Sequence, residues 1–167
     1  MSSSPDVAIC WAMGDTVPST FVRQLLAQKN PRVGTYAYVQ MGPDLAMARN
    51  ILAGKFLATD MQVCVMIDTD IVWTPDQLEQ LLACPADIAI ASYPDSNGKR
   101  VTEGMGFTAI RRDVFNYMDE YPFSYIADEH GHMGEDVSFL YRARQAGRSI
   151  EVLDFTVKHA KLVEMSL

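Results

Sequence analysis

The feature that most constrains the fold is an uninterrupted apolar run, Val63–Ile67, followed at once by the triplet Asp68-Thr69-Asp70. Five consecutive apolar residues, three of them β-branched, predict an interior strand that is buried on both faces, as in a parallel sheet. Because side chains alternate along an extended chain, Asp68 and Asp70 point to the same side. Open α/β sheets bind ligands outside the carboxyl ends of their strands, so the acid pair lies where such a fold carries its chemistry.

Segments with the periods of strands and helices alternate along the rest of the chain. This alternation predicts an α/β fold with a doubly wound, mostly parallel sheet and helices on both faces. In the first helix, the spacing of Phe21, Val22, Leu25 and Leu26 predicts one buried face. Residues 120–133 show no clear period and are predicted to form a loop over the site. The predicted strands cover residues 7–12, 35–41, 63–67, 87–92, 105–110 and 150–155. Two helices are predicted to open at Pro18-Ser19-Thr20 and at Thr74-Pro75-Asp76, and three more cover residues 44–58, 113–118 and 135–146.

Length, composition and charge limit the classes of function. A chain of 167 residues, 49% of them hydrophobic, is expected to form one domain over residues 1–167 with a sizeable core. The net charge of -7 disfavours a surface that binds nucleic acid by neutralising phosphates. No apolar run approaches the roughly 20 residues that cross a bilayer, and no signal-peptide pattern opens the chain, so a cytoplasmic protein is expected. Cys10, Cys64 and Cys84 are expected to be buried thiols, which suits a reducing compartment.

Taken alone, the acid pair of Asp68 and Asp70 allows two interpretations. A solvated turn that caps the next helix is one of them. The other is a metal site, because two like charges held close together repel, and a divalent cation stabilises both in the ionised form. The motifs around the pair decide between these interpretations.

Five short motifs occur in an order that resembles a known family. Each is a weak signal alone, but five in one order are specific. The order resembles that of the GT-A glycosyltransferases, in particular the compact bacterial and phage enzymes similar to family 2, and the likeness covers residues 44–161. It implies a single-domain, Rossmann-like, three-layer α/β/α sandwich. The motifs are Ala48-Arg49-Asn50, Asp68-Thr69-Asp70, Gly104-Met105-Gly106-Phe107 before Ile110-Arg111-Arg112, Gly134-Glu135-Asp136, and His159.

The resemblance implies a transferase that uses a nucleotide-diphosphate sugar, with a UDP-sugar favoured, and a divalent metal, Mn²⁺ or Mg²⁺. In such enzymes the metal bridges the Asp-x-Asp motif and the diphosphate, and it neutralises the charge that develops on the leaving group. Carried over, Asp70 is expected to bind the metal directly, and Asp68 to touch the ribose or a metal-bound water. His159 resembles the histidine that completes the metal's ligands in many members.

The acidic pair Glu135-Asp136 resembles the family's catalytic acids, of which the aspartate is the general base. Asp136 is then expected to deprotonate the acceptor hydroxyl as it attacks, in a single displacement with inversion. The alternative is that both acids only stabilise a helix N-terminus. Arg111 and Arg112 are expected to be solvated charges at a helix start.

The nucleotide is expected to lie over the first strand and the loop after it. Trp11 or Met13 could pack on the base, and Asp15 or Gln40 could hydrogen-bond its edge. The motif Ala48-Arg49-Asn50 adds Arg49 and Asn50 to the expected nucleotide contacts, and Arg49 could reach the base or the diphosphate.

The acceptor is left open by the sequence. A glycan or a small molecule is expected, and a modified DNA base is disfavoured by the acidic charge. The insertion that usually helps to build the acceptor side is reduced to a turn after Tyr93. The acceptor would then rest on Tyr93, on residues 121–133 or on a partner subunit in a homo-oligomer.

Two other functions fit part of the sequence. Asp68 and Asp70 also match the nucleophile and acid/base of haloacid-dehalogenase-type phosphatases, in which Ser92 and Lys99 could mimic later motifs. In that family the motif follows the first strand, whereas two strand-helix units precede it here. Alternatively, the mixed histidines and carboxylates of residues 128–132 could bind a metal, which would make the protein a non-catalytic binding module.

Overall fold

The computed structural model describes residues 5–40, 44–95, 97–128 and 131–160. Its elements follow the predicted alternation, and the strand predicted at 35–41 is observed two residues earlier, with Met41 outside the described residues. The elements are β1 (Val7–Met13), α1 (Ser19–Ala27), β2 (Val33–Gln40), α2 (Leu45–Leu57), β3 (Val63–Ile67), β4 (Ile71–Val72), α3 (Pro75–Ala83), β5 (Ile88–Pro94), β6 (Arg100–Val101), β7 (Phe107–Arg111), a 3₁₀ helix (Arg112–Tyr117), β8 (Ile126–Asp128), β9 (Gly131–Met133), α4 (Glu135–Gln145), β10 (Ile150–Thr156) and β11 (Lys158–His159).

The central sheet has the strand order β10-β5-β7-β3-β1-β2, and β6 pairs with β5. β1 runs parallel to β2 and β3, and β10 runs parallel to β5, which confirms the predicted α/β fold with a mostly parallel sheet. β7 lies between β3 and β5 and is antiparallel to both. The chain therefore enters β7 at the edge where β3 ends, and the Asp68 amide donates a 2.9 Å hydrogen bond to the Gly106 carbonyl.

Two hydrophobic cores lie on opposite faces of this sheet. On one face, α2, α4 and the 3₁₀ helix cover the strands, with Leu52, Phe56 and Phe139 at the centre. On the other face, α1 and α3 contribute Phe21 and Leu78. Helices on both faces of one sheet form the three-layer α/β/α sandwich that the sequence predicts.

The prediction for the buried face of α1 was wrong in part. Phe21 is buried, but Val22 is 43% exposed and Leu26 is 77% exposed. Gln24 turns inward instead, donating a 3.2 Å hydrogen bond to the Ile71 carbonyl and accepting one of 3.2 Å from the Trp73 amide. Gln24 points inward because the backbone groups of Ile71 and Trp73, in and just after the short β4, need hydrogen-bond partners, and its side chain supplies them.

Arg111 and Arg112 are not the solvated charges that the sequence predicts. The Arg111 guanidinium donates to the carbonyls of Ala86 and Cys84 at 3.1 and 3.3 Å. Arg112 donates to the Leu57 carbonyl at 2.7 Å, and so caps the carboxyl end of α2, where carbonyls lack partners within the helix. Both arginines therefore bind backbone carbonyls, Arg111 in the segment before β5 and Arg112 at the end of α2.

Residues 120–133, predicted to be a loop, contain a short hairpin in which β8 pairs with β9. Farther along the chain, β11 pairs antiparallel with β4, so that His159 lies opposite Ile71. All three cysteines are buried and free, as predicted. Within the described ranges, no helix is long and apolar enough to cross a membrane.

Candidate active site

Residues from distant parts of the chain meet where β3 ends. Asp68 and Asp70 follow β3, Arg49 comes from α2, Asp136 from the first turn of α4, and His159 from β11. The sheet brings them together because strands β1, β3 and β5 all end at this edge. We call this group of side chains the site cluster.

Arg49 is the centre of the site cluster. Its side chain is only 5% exposed, and its Nη1 donates a hydrogen bond to Glu135 Oε1. Its Nη2 donates to Asp68 Oδ1 at 3.2 Å. One buried guanidinium thus ties α2 to the end of β3 and to the start of α4, and its planar fork suits two carboxylates at once.

The Asp68 carboxyl keeps 36% of its side-chain surface open, although it is enclosed by charged neighbours. Burial raises the pKa of Asp68, and the positive charge of Arg49 lowers it. The like charges of Asp70 and Asp136 raise this pKa further. The negative charges of Asp70 and Asp136 therefore both act on the Asp68 carboxyl. A cation that entered there would relieve their repulsion.

Asp70 and His159 supply a pair of donor atoms that one divalent cation can share. The Oδ2 of Asp70 lies 3.3 Å from the Nε2 of His159. Carboxylate oxygen and imidazole nitrogen both suit Mn²⁺, whereas Mg²⁺ prefers oxygen alone. No group of three or more metal-binding side chains occurs in the part of the chain that the structure describes. Asp68, which the sequence places at the metal site in contact with the ribose or a metal-bound water, accepts a hydrogen bond from Arg49. The residues therefore fit a metal whose remaining ligands come from a substrate.

The sequence predicts Tyr93 only for the acceptor side. In the structure its ring packs against His159 of the site cluster. The ring centroids of Tyr93 and His159 are 6.3 Å apart. Burial and the negative charges of Asp68 and Asp136 raise the pKa of Tyr93, so its hydroxyl stays protonated and can donate a hydrogen bond. The sequence feature that accompanies this position of Tyr93 is the Gly104-Met105-Gly106 segment. A Cβ on Gly104 would overlap the Tyr93 hydroxyl, so the close approach of the ring needs a glycine there.

We expect Gly104→Ala to displace Tyr93 and to destabilise the fold by about 1–3 kcal/mol, since the ring is packed and cannot move freely. Gly54→Ala is the matched control: no heavy atom lies within 4 Å of its added Cβ, and α2 favours alanine, so a gain of about 0.5–1 kcal/mol is expected. Urea denaturation of both variants measures the two effects. Equal stability of the two variants would mean that Tyr93 does not occupy the space above Gly104.

The two acids at the start of α4 have different roles in the structure. Glu135 is buried and bound to Arg49, so it joins the start of α4 to the arginine. Asp136 is half-buried, and its Oδ1 accepts a 2.8 Å hydrogen bond from the Val137 amide. Of the predicted acidic pair, Asp136 is the more exposed residue and has no ion pair with Arg49 among the described contacts.

Asn50 holds backbone in the structure. Its Nδ2 donates to the Phe123 carbonyl at 2.7 Å, and its Oδ1 accepts from the Phe123 amide at 2.8 Å. These two bonds use one donor and one acceptor of the amide on the chain's own backbone. Asn50 therefore fixes the segment before β8, next to Arg49.

Four predicted nucleotide contacts lie at the carboxyl ends of β1 and β2 or in the loop after β1, namely Trp11, Met13, Asp15 and Gln40. Trp11 stacks on Tyr38 with ring centroids 5.7 Å apart and borders a hollow of about 310 Å³. Gln40 ends β2 opposite Met13 and is exposed, as is Asp15 in the next loop. These residues form a second group at the sheet edge where β3 also ends, because β1 runs parallel to both β2 and β3.

Neither a protein-family model nor a curated protein matches the sequence. Solved structures do match the fold. A197 from STIV is similar with a TM-score of 0.64 and 17% identity, over 90% of this chain and 82% of that one. A protein from Desulfovibrio desulfuricans G20, assigned as a nucleotide-diphospho-sugar transferase, gives a TM-score of 0.62 and 13% identity, over 92% of this chain and 81% of that one.

TarS from S. aureus, as a fragment of residues 1–349, is similar with a TM-score of 0.64 and 12% identity. The match covers 96% of this chain but only 62% of the TarS fragment. At such identities these likenesses show the fold and nothing finer. The chain has a GT-A-like, Rossmann-related α/β fold.

Proposed function

We propose that this protein is a metal-dependent glycosyltransferase that moves a sugar from a nucleotide-diphosphate sugar, with a UDP-sugar favoured, to an acceptor hydroxyl with inversion. The observation that carries the proposal is the site cluster: Asp70 of the Asp70–His159 donor pair follows the same strand as Asp68 at one edge of the sheet, and Arg49 joins Asp68 to the start of α4, where Asp136 lies. Such an edge is where open α/β folds bind ligands. Two of the similar TarS structures hold UDP-GlcNAc and UDP, which supports the same donor class here.

The donor would lie between the two groups of residues. Trp11 and Tyr38 offer an aromatic wall for the base, and Gln40 and Asp15 offer polar atoms for its edge. A metal bound by Asp70 and His159 would neutralise charge on the leaving diphosphate. Tyr93, whose hydroxyl stays protonated, can donate a hydrogen bond to a donor oxygen nearby.

The reaction requires a base on the acceptor side. The acceptor hydroxyl gives its proton to the Asp136 carboxylate while its oxygen forms a bond to the anomeric carbon. The bond from the anomeric carbon to the diphosphate oxygen breaks, and its electron pair leaves with the nucleoside diphosphate. Attack from the face opposite the leaving group inverts the anomeric centre.

The phosphatase alternative has little support from the geometry. Ser92, which would have to bind phosphate, is fully buried, and its hydroxyl lies 3.0 Å from the Thr156 hydroxyl. Two strand-helix units precede the acid pair in the structure, as in the sequence. Of the residues suggested for a separate metal site, Glu129 and His130 lie outside the described residues, and His132 is exposed.

Thermal-shift screening with UDP, GDP, CDP and TDP, each with and without MnCl₂, tests the proposed function. We expect UDP with Mn²⁺ to stabilise the protein most, because ligand binding to the folded state raises the midpoint. Asp70→Ala should abolish the part of the shift that depends on Mn²⁺. Asp154→Ala, an exposed aspartate on β10, should leave it unchanged. The proposal fails if no diphosphate stabilises the wild type, or if Asp70→Ala responds to Mn²⁺ as Asp154→Ala does.

A further inference from the structure

A cavity of about 440 Å³ opens between α2 and the segment before β8. We call it the tyrosine groove, because two exposed tyrosines line it, Tyr121 (61% exposed) and Tyr125 (58% exposed). Met47 and Ile51 of α2 form the opposite, also exposed, wall. The volume falls within the range of about 300–1,000 Å³ that is typical of ligand sites.

The walls of the tyrosine groove are rigid. Asn50 makes both of its hydrogen bonds to Phe123, and Arg142 donates to the Ser124 hydroxyl at 2.6 Å. A groove that is fixed in this way binds without the entropic cost of ordering its own chain.

The β8–β9 hairpin connects the tyrosine groove to the start of α4, where Asp136 lies. Ile126 pairs with Met133 across the hairpin, so Tyr125 and Gly134 are the residues that flank this pair. Asp136 follows Gly134 by two positions in the first turn of α4. On the other wall, Asn50 is the neighbour of Arg49, which belongs to the site cluster.

The lining favours an uncharged, hydroxyl-rich ligand. Asp44 and Glu120 line the groove, and no lysine or arginine does so within the described ranges. These carboxylates repel phosphates and sulfates but accept hydrogen bonds from hydroxyl groups. Tyrosine rings offer apolar faces on which the C–H faces of sugar rings can pack, and their hydroxyl groups add polar contacts.

We propose that the tyrosine groove binds the acceptor, and that the acceptor is a neutral glycan. This inference rests on the proposed function and names the substrate of the same site. The reacting sugar unit lies at Asp136, and the units behind it pack on Tyr125 and Tyr121. Anionic polymers, nucleic acid among them, are excluded from this path by its carboxylates.

The experiment uses an array of immobilised neutral glycans, sulfated glycans, peptides and oligodeoxynucleotides, probed with the full chain in the presence of UDP and Mn²⁺. We expect binding to at least one neutral glycan and a loss of about tenfold in affinity for Tyr121→Ala, the size typical of losing a buried aromatic contact. Tyr141→Ala, which removes an exposed tyrosine from α4, is the matched control and should bind as the wild type does.

The outcomes separate the two proposals. If UDP with Mn²⁺ stabilises the protein but no neutral glycan binds, or if Tyr121→Ala binds as well as Tyr141→Ala, the groove is not the acceptor site. Binding to sulfated glycans, peptides or DNA alone overturns the inference in the same way. If UDP gives no stabilisation in the thermal-shift assay, the proposed function fails, and any glycan binding is that of a lectin.

Discussion

Replacing Asp136 with asparagine is expected to lower the rate of UDP release from a UDP-sugar by about 10²- to 10⁴-fold, the usual contribution of a general base. The amide keeps the shape of the side chain but cannot accept the acceptor's proton. Binding of UDP with Mn²⁺ should persist, because the metal pair of Asp70 and His159 is untouched. Initial rates with the best-bound UDP-sugar, together with thermal shifts on the same protein, measure both effects.

Asp76→Asn is the matched control for this variant. Asp76 occupies the second position of α3, as Asp136 does in α4, so both acids face a helix N-terminus. Loss of either charge should cost about 0.3–1 kcal/mol of stability through the helix dipole. Only Asp136→Asn should lose turnover. If both variants lose similar stability and keep full activity, Asp136 is a helix-stabilising residue and another group is the base.

Replacing Arg49 with methionine is expected to reduce the free energy of unfolding by about 3–5 kcal/mol, as for a buried ion pair that loses one partner. Methionine fills a similar volume, but the Glu135 carboxylate is left buried without a cation. Asp68 loses the same partner, but its side chain is 36% exposed, so water can still solvate its charge. Urea denaturation gives the free energy directly.

Two further variants show whether the ion pair causes this loss. Arg23→Met removes an exposed cation of α1 and should change stability by no more than about 0.5 kcal/mol. The double variant Arg49→Met with Glu135→Met removes both charges and should recover most of the loss, since apolar residues can replace a buried ion pair. Should Arg49→Met alone be too unstable to purify, recovery of folded protein by the double variant still gives the answer. A double variant no more stable than Arg49→Met would locate the loss outside the ion pair.

Much of the fold follows from local patterns in the sequence. The apolar run before Asp68 is short and fully buried, as an interior strand requires. Thr74 and Pro75 predict the start of α3, and the structure shows a capping box at this position. The meeting of Asp68, Asp136 and His159 could be expected because each follows a strand or opens a helix at one sheet edge.

Other features depend on contacts that no local pattern encodes. Arg49 binds Glu135, which is 86 positions away, and this choice depends on the packing of α2 against α4. The direction of β7 was not predicted, because an interior strand has the same apolar character whichever way it runs. Leu26 reads as a core residue by its spacing, yet α1 leaves it in solvent. The sequence indicates one wall of the tyrosine groove, because residues 121–133 are predicted for the acceptor, but not the α2 wall, which shares no motif with that segment.

The pairing of β4 with β11 sets the order in which the protein can become functional during synthesis. Asp70 leaves the ribosome early, but its partner His159 follows only after both hydrophobic cores have been translated. Contacts of such long sequence separation form late, because closing a long loop has an entropic cost that early contacts do not share. The Asp70–His159 pair therefore forms only after residue 159 has left the ribosome, and the metal site proposed for this pair is completed late in synthesis.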